Sequence, residues 1–144
     1  MLQPFIEQTN VAVEPRLNLV LFQRRFAICR LKSSESIPPW VLNASGFFAL
    51  VRTSDELSVV CEENIPPANV RSESGWRMFM VEGPLEFAMT GVLLALVRPL
   101  SDAGVSLFAI STFDTDYLMV KEEAVDAAEQ ALAGAGHSIK HQPH

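Results

Sequence analysis

The sequence predicts an α+β fold: two tandem units, each an antiparallel sheet with helices on one face. Three observations carry this. Short apolar runs bounded by Gly, Pro, Asn, Asp and Ser recur along the chain and read as strands. Two segments, 90–103 and 122–134, carry apolar residues at helical spacing. Their order in the second half is strand, helix, strand, strand, helix, short strand, which is the split βαβ or ferredoxin-like plan, βαββαβ.

The elements follow in chain order. Residues 1–15 form a loose lead-in with two prolines. Leu17–Phe22 and Phe26–Leu31 are strands, bridged by the polar Gln23-Arg24-Arg25. Ser33–Pro39 is a turn-rich break, and Pro38-Pro39-Trp40 starts a short helix, since proline suits a first turn. Phe47–Arg52 and Leu57–Cys61 are strands around a Thr53–Glu56 turn, and Glu62–Gly75, with Pro66-Pro67, reads as a linker. Trp76–Val81 is the next strand and Glu82-Gly83-Pro84 a turn. Thr90 is a suitable N-cap for a helix whose stripe is Val92, Leu93, Leu96, Leu100 and Ala103. Pro99 is expected to bend or end that helix, because it has no N–H for the carbonyl of Ala95.

Ala109–Lys121 is a hairpin that is apolar on both faces. Val105, Leu107, Ala109 and Phe113 are read on one side, Phe108 and Ile110 on the other. Antiparallel hairpins usually alternate apolar and polar, so this one needs cover twice. Glu122–Gly134 is the second helix, with Val125, Ala128 and Leu132 buried and acidic residues at its N-terminus. His137–His144 is expected to begin with a short strand and then fray. The first half lacks a clear second helix. Domain boundaries are expected at 14–70 and 71–140.

Composition narrows the function. The chain has 144 residues, 49% hydrophobic and 19% charged, which supports a buried core. A net charge of −6 and scattered basic residues argue against nucleic acid as a partner. No apolar stretch reaches the ~20 residues that cross a bilayer, and no signal peptide is visible, so no membrane partner is expected. Cys29 and Cys61 sit in apolar runs and read as buried free thiols of a cytoplasmic protein. The only histidines, His137, His141 and His144, lie in the tail, where fraying rather than metal binding is expected. No phosphate-binding glycine loop, zinc motif or nucleophile–base arrangement occurs, so neither enzyme activity, a metal nor a cofactor is expected.

The hairpin run Ser111–Glu123, with Gly83-Pro84-Leu85 and Thr90-Gly91-Val92-Leu93 upstream, resembles small bacterial proteins made of two ACT domains. The strand at Trp76 and the run Phe47–Cys61 fit the same pattern, and the resemblance covers about residues 14–137. It extends to the amino-acid-binding ACT domains of aspartate kinases and to cellular arginine sensors. It implies a ferredoxin-like fold, regulation rather than catalysis, an amino-acid ligand and a homodimer. It also implies a site where ACT domains meet, formed by the loop between first strand and first helix, here Gly83 to Thr90, and neighbouring strand backbone.

Elementary chemistry points to the same place. The helix start near Thr90 offers free N–H groups to a carboxylate, and Gly91 permits close approach. Carbonyls at Ile110–Thr112 can accept from an ammonium group, which Asp114 or Asp116 can neutralise. The candidate ligand-binding residues are Gly83, Pro84, Leu85, Thr90, Gly91, Val92, Ile110, Ser111, Thr112, Asp114 and Asp116. An alternative reading is a protein-interaction module without a small ligand, whose second apolar hairpin face meets a partner chain.

Overall fold

The computed structural model describes residues 14–86 and 90–142. Most of the lead-in, the middle of the 83–90 loop and His144 lie outside these residues. Seven strands form one sheet: β1 (Asn18–Leu31), β2 (Ala49–Arg52), β3 (Leu57–Glu62), β4 (Arg71–Val81), β5 (Phe108–Ser111), β6 (Asp116–Lys121) and β7 (Ser138–His141). The order is β2-β3-β1-β4-β6-β5, with β7 pairing to β1. Three helices accompany it: α1 (Pro39–Leu42), α2 (Val92–Asp102) and α3 (Val125–Gly134). The second half runs β4-α2-β5-β6-α3-β7, the ferredoxin-like order expected; among its described residues the first half has one helix, α1.

The expected pair of strands at 17–31 is instead one strand of 14 residues. Gln23-Arg24-Arg25 does not interrupt it. Its pairing with β4 shifts register between Leu21 and Arg25, as at a β-bulge. Around that irregularity the charges are paired: Arg24 with Glu62 at 2.8 Å, Arg25 with Glu63 at 2.8 Å, and Arg77 with Glu122 at 3.2 Å. A single long strand therefore serves both halves. Its first residues lie between β7 and β4, and its last between β3 and β4. The end of the expected linker is also strand, since β4 begins at Arg71. Phe47 and Phe48 precede β2, and α3 is entered through a 3-10 turn at Glu122–Ala124.

On one face, α2 and α3 cover a core of Leu19, Leu21, Phe79, Leu96, Leu100, Leu118 and Leu132, all essentially buried. Each such side chain contributes roughly 1.5–3 kcal/mol of burial. The α2 stripe is Val92, Ala95, Leu96 and Leu100; Leu93 and Ala103, expected within it, face out. A second cluster on the first half packs Val41 of α1 over Ala27, Cys29, Leu57, Val59 and Cys61. Cys29 and Cys61 are buried free thiols in contact, and the Cys61 S–H is held up by its hydrogen bond to the Cys29 sulfur.

The opposite face answers the question of the two-sided hairpin. Met78 and Met119 are fully buried there with Phe26 and Val60, against Phe47, Ala49, Phe108, Ile110 and Tyr117. Phe47 stands edge-on to Phe26 at 6.0 Å and tilts onto Tyr117 at 4.9 Å between ring centroids. The sheet curls, so the first half covers the second face of the hairpin within one chain. Phe113 is not part of that packing: it is 79% exposed at the hairpin tip.

His137, expected in a frayed tail, is buried. The Leu17 N–H donates to its Nδ1 at 3.0 Å, and its Nε2 lies 2.9 Å from the carbonyl of Ala95. That carbonyl is the one Pro99 cannot serve. With Nδ1 accepting, Nε2–H donates and replaces the lost helical bond. α2 consequently continues through Pro99 to Asp102. Among the described residues no helix is long and apolar enough to cross a membrane.

Candidate functional site

The hairpin tip and the start of α2 enclose a cleft of about 350 Å³. Its wall comes from three segments: Leu85 and Glu86 after β4, Gly91–Leu93 at the start of α2, and Ser111–Asp116 between β5 and β6. Seven of the expected residues meet here: Leu85, Gly91, Val92, Ser111, Thr112, Asp114 and Asp116.

The helix start has a local cause. Gly91, not Thr90, is the N-cap; its φ of 82° is left-handed, where a Cβ would be strained. Thr90 makes no cap hydrogen bond and is exposed outside the cleft wall. The first helical bond runs from the Ala95 N–H to the Gly91 carbonyl at 2.9 Å. The amides of Val92 to Leu94 precede it and carry the partial positive charge of the helix start, where Val92 and Leu93 line the cleft.

The hairpin tip is braced. Thr112 N–H donates to the Thr115 carbonyl at 2.8 Å, and Thr115 N–H returns to Thr112 Oγ1 at 3.3 Å. Thr115 is buried, and its Oγ1–H donates to the Val81 carbonyl at 2.6 Å. This bond ties the tip to the end of β4. Thr115→Val should cost about 1–2 kcal/mol, the penalty of an unsatisfied buried carbonyl, read by urea unfolding. The loop is tied too, because Leu85 N–H donates to the Asp114 carbonyl at 2.7 Å.

The carboxylates differ. Asp116 Oδ1 accepts from Ser111 Oγ at 2.6 Å, whereas the Asp114 carboxylate is exposed and has no ion pair among the described residues. Glu86 adds a third carboxylate to the wall. Gly83 and Pro84 stand behind the cleft, with Gly83 pressed against the hairpin backbone. Ile110 turns to the concave face, away from the cleft. Glu86, Leu93, Phe113 and Thr115 complete the wall and were not among the expected site residues. Leu93 and Phe113 read in sequence as core positions, and Thr115 carries no signal beyond a hairpin turn.

A family model described as an ACT domain matches residues 71–134, which contain the whole cleft, and a second model, for an N-terminal domain, matches residues 24–69. The chain is similar to the human cytosolic arginine sensor for mTORC1 subunit 1, at 31% identity over 94 residues. It spans only about 29% of that protein's length. A solved structure from Agrobacterium tumefaciens shares 40% identity over 90% of this chain and 96% of its own, with a TM-score of 0.85. The Clostridium acetobutylicum aspartate kinase aligns over 89% of this chain and 36% of its own with a TM-score of 0.66, at 12% identity, a likeness of fold. Residues 71–134 therefore match an ACT domain, and the cleft lies inside that match.

Proposed function

We propose that the protein is a non-catalytic regulator that binds a free amino acid in the cleft between the hairpin tip and the start of α2. The observation that carries this reading is the opposition of unlike charges across one small cavity. The open amides of α2 suit a carboxylate, and Asp114, Asp116 and Glu86 suit cationic groups. Three carboxylates exceed what one ammonium group needs, which favours an amino acid with a basic side chain. The similarity to an arginine sensor supports the same class.

Binding would favour the arrangement in which the hairpin tip and α2 are closest and shift the population toward it. Leu93 and Leu94 are 40% and 48% exposed at the cleft's edge. We take them as the surface where a second copy closes the site in a homodimer, which light scattering with and without ligand would test. Residues 14–70 are assigned to the first ACT-like unit and 71–140 to the second. No specific observation favours an interaction module without a ligand, because the second hairpin face is already covered.

A thermal-shift screen of the common amino acids is the direct test. Ligand at ten times its dissociation constant adds about 1.4 kcal/mol of stability, enough for a clear rise in melting temperature. Asp114→Asn should abolish the rise while leaving the unliganded protein as stable as before, since that carboxylate has no partner among the described residues. No rise with any amino acid at 10 mM would refute the reading.

A further inference from the structure

The concave face of the sheet carries two more cavities, one of which shares Ser111 with the amino-acid cleft. One, of about 260 Å³, lies where the two sheet edges approach, walled by Ala49, Val51, Val60, Phe108 and Ile110. The other, of about 210 Å³, lies over β3, β1 and β4 and is walled by Ile28, Ser72, two arginines, Arg30 and Arg71, and two glutamates, Glu56 and Glu73. Ser58 lines both. Meeting at Ser58, the two are taken as one trough, apolar at one end and arginine-lined at the other.

The cationic end holds charges that the fold alone does not balance. Ser58, Arg30 and Arg71 stand in one cross-strand row, so two guanidinium groups face each other on neighbouring strands. Like charges placed this way repel. Arg30 is partly offset: its Nη2 donates to the Asp55 carbonyl at 3.0 Å, and its Nε lies 4.0 Å from Glu56. Glu73 is taken by Lys121 at 3.4 Å. Arg71 has no hydrogen bond or ion pair among the described residues, so one positive charge is left over.

We propose that this trough binds a small organic monoanion with an apolar body, a medium-chain or aryl carboxylic acid. The carboxylate would accept a forked pair of hydrogen bonds from Arg71, with Ser58 and Ser72 within the same wall. The apolar body would lie along Val51, Val60, Phe108 and Ile110, covering surface that the curled sheet leaves between its edges. One excess cation selects a monoanion, and the apolar far end selects an apolar body.

The experiment uses the full chain, 15N-labelled, titrated with sodium octanoate and, separately, with 1-octanol. Octanoate should shift the amides of Arg30, Val51, Ser58 and Ile110 along a saturable curve. Octanol should bind at least tenfold more weakly. Arg71→Gln should weaken octanoate at least fivefold, and so should Val51→Asp, which sets a carboxylate in the apolar end at a half-exposed position. Lys140→Gln, on β7 beside the opposite end of β1, and Asp114→Asn, in the amino-acid cleft, should leave octanoate affinity unchanged. The proposal is overturned if octanol binds as tightly as octanoate, if Arg71→Gln changes nothing, or if 20 mM octanoate gives no saturable shift. Insensitivity to Asp114→Asn separates this outcome from the fate of the amino-acid reading.

Discussion

Replacing His137 by alanine should lower the free energy of unfolding by about 2–4 kcal/mol, because two buried polar groups lose their partners together. The Leu17 N–H loses its acceptor at Nδ1, and the Ala95 carbonyl loses its donor at Nε2. Neither has a ready substitute. Leu17 is itself buried at the entry to β1, and Ala95 sits four residues before a proline. The loss should appear in urea unfolding as a lower midpoint with an unchanged slope. A second substitution tests the cause. Pro99→Ala restores an N–H facing the Ala95 carbonyl and so should recover about 1 kcal/mol in the His137→Ala background. It should recover less in the native background, where His137 already fills that role. A double-mutant cycle showing strict additivity would exclude the proposed exchange of donors.

That arrangement also shows where sequence reading stops. The missing N–H at Pro99 was legible, since it follows from the residue alone. Its replacement was not, because His137 lies 42 positions from Ala95 and reaches it only once β7 has docked on β1. Long-range partners leave no periodic trace. The elements themselves were legible wherever the apolar period was strong: β6, α2 and α3 stand close to where the pattern placed them. β1 was divided in sequence because Gln23-Arg24-Arg25 is polar, yet a bulge and three ion-paired arginines let the strand pass. Polarity along a strand reports which side faces water, and at a bulge that alternation breaks.

The cleft was legible in outline for a similar reason. Gly91, Asp114 and Asp116 are turn or cap residues by type; Gly91 caps α2, Asp114 lies between β5 and β6, and Asp116 opens β6. Thr90 was a better cap by composition than the glycine that serves. A left-handed residue at this entry leaves the preceding side chain outside the cleft. Phe113 departs from the expected alternation because β5 ends at Ser111.

Gly83 carries the second large expected effect. It is exposed and outside the cleft wall, so a surface position would ordinarily tolerate change. Its neighbours say otherwise. A Cβ at Gly83 would stand 3.1 Å from the Asp114 carbonyl oxygen, 3.2 Å from the Leu85 nitrogen and 3.2 Å from Thr115 Cβ. The first two are the acceptor and donor of the 2.7 Å bond that joins loop to hairpin tip. Being backbone, they cannot rotate aside; they must separate. Gly83→Val should therefore cost about 1–3 kcal/mol as an overpacked contact. It should also loosen the Thr115 link to Val81 and displace Asp114. Gly75→Ala is the matched control, since its φ of 80° brings conformational strain but a Cβ there meets nothing within 4 Å. Both variants should lose stability, so the separating measurement is local. Only Gly83→Val should raise hydrogen exchange at Leu85 and Thr115 above the rate set by global unfolding, and only it should cancel an amino-acid-induced thermal shift. If Gly83→Val is as stable as the native protein, the close approach at Gly83 does not brace the cleft.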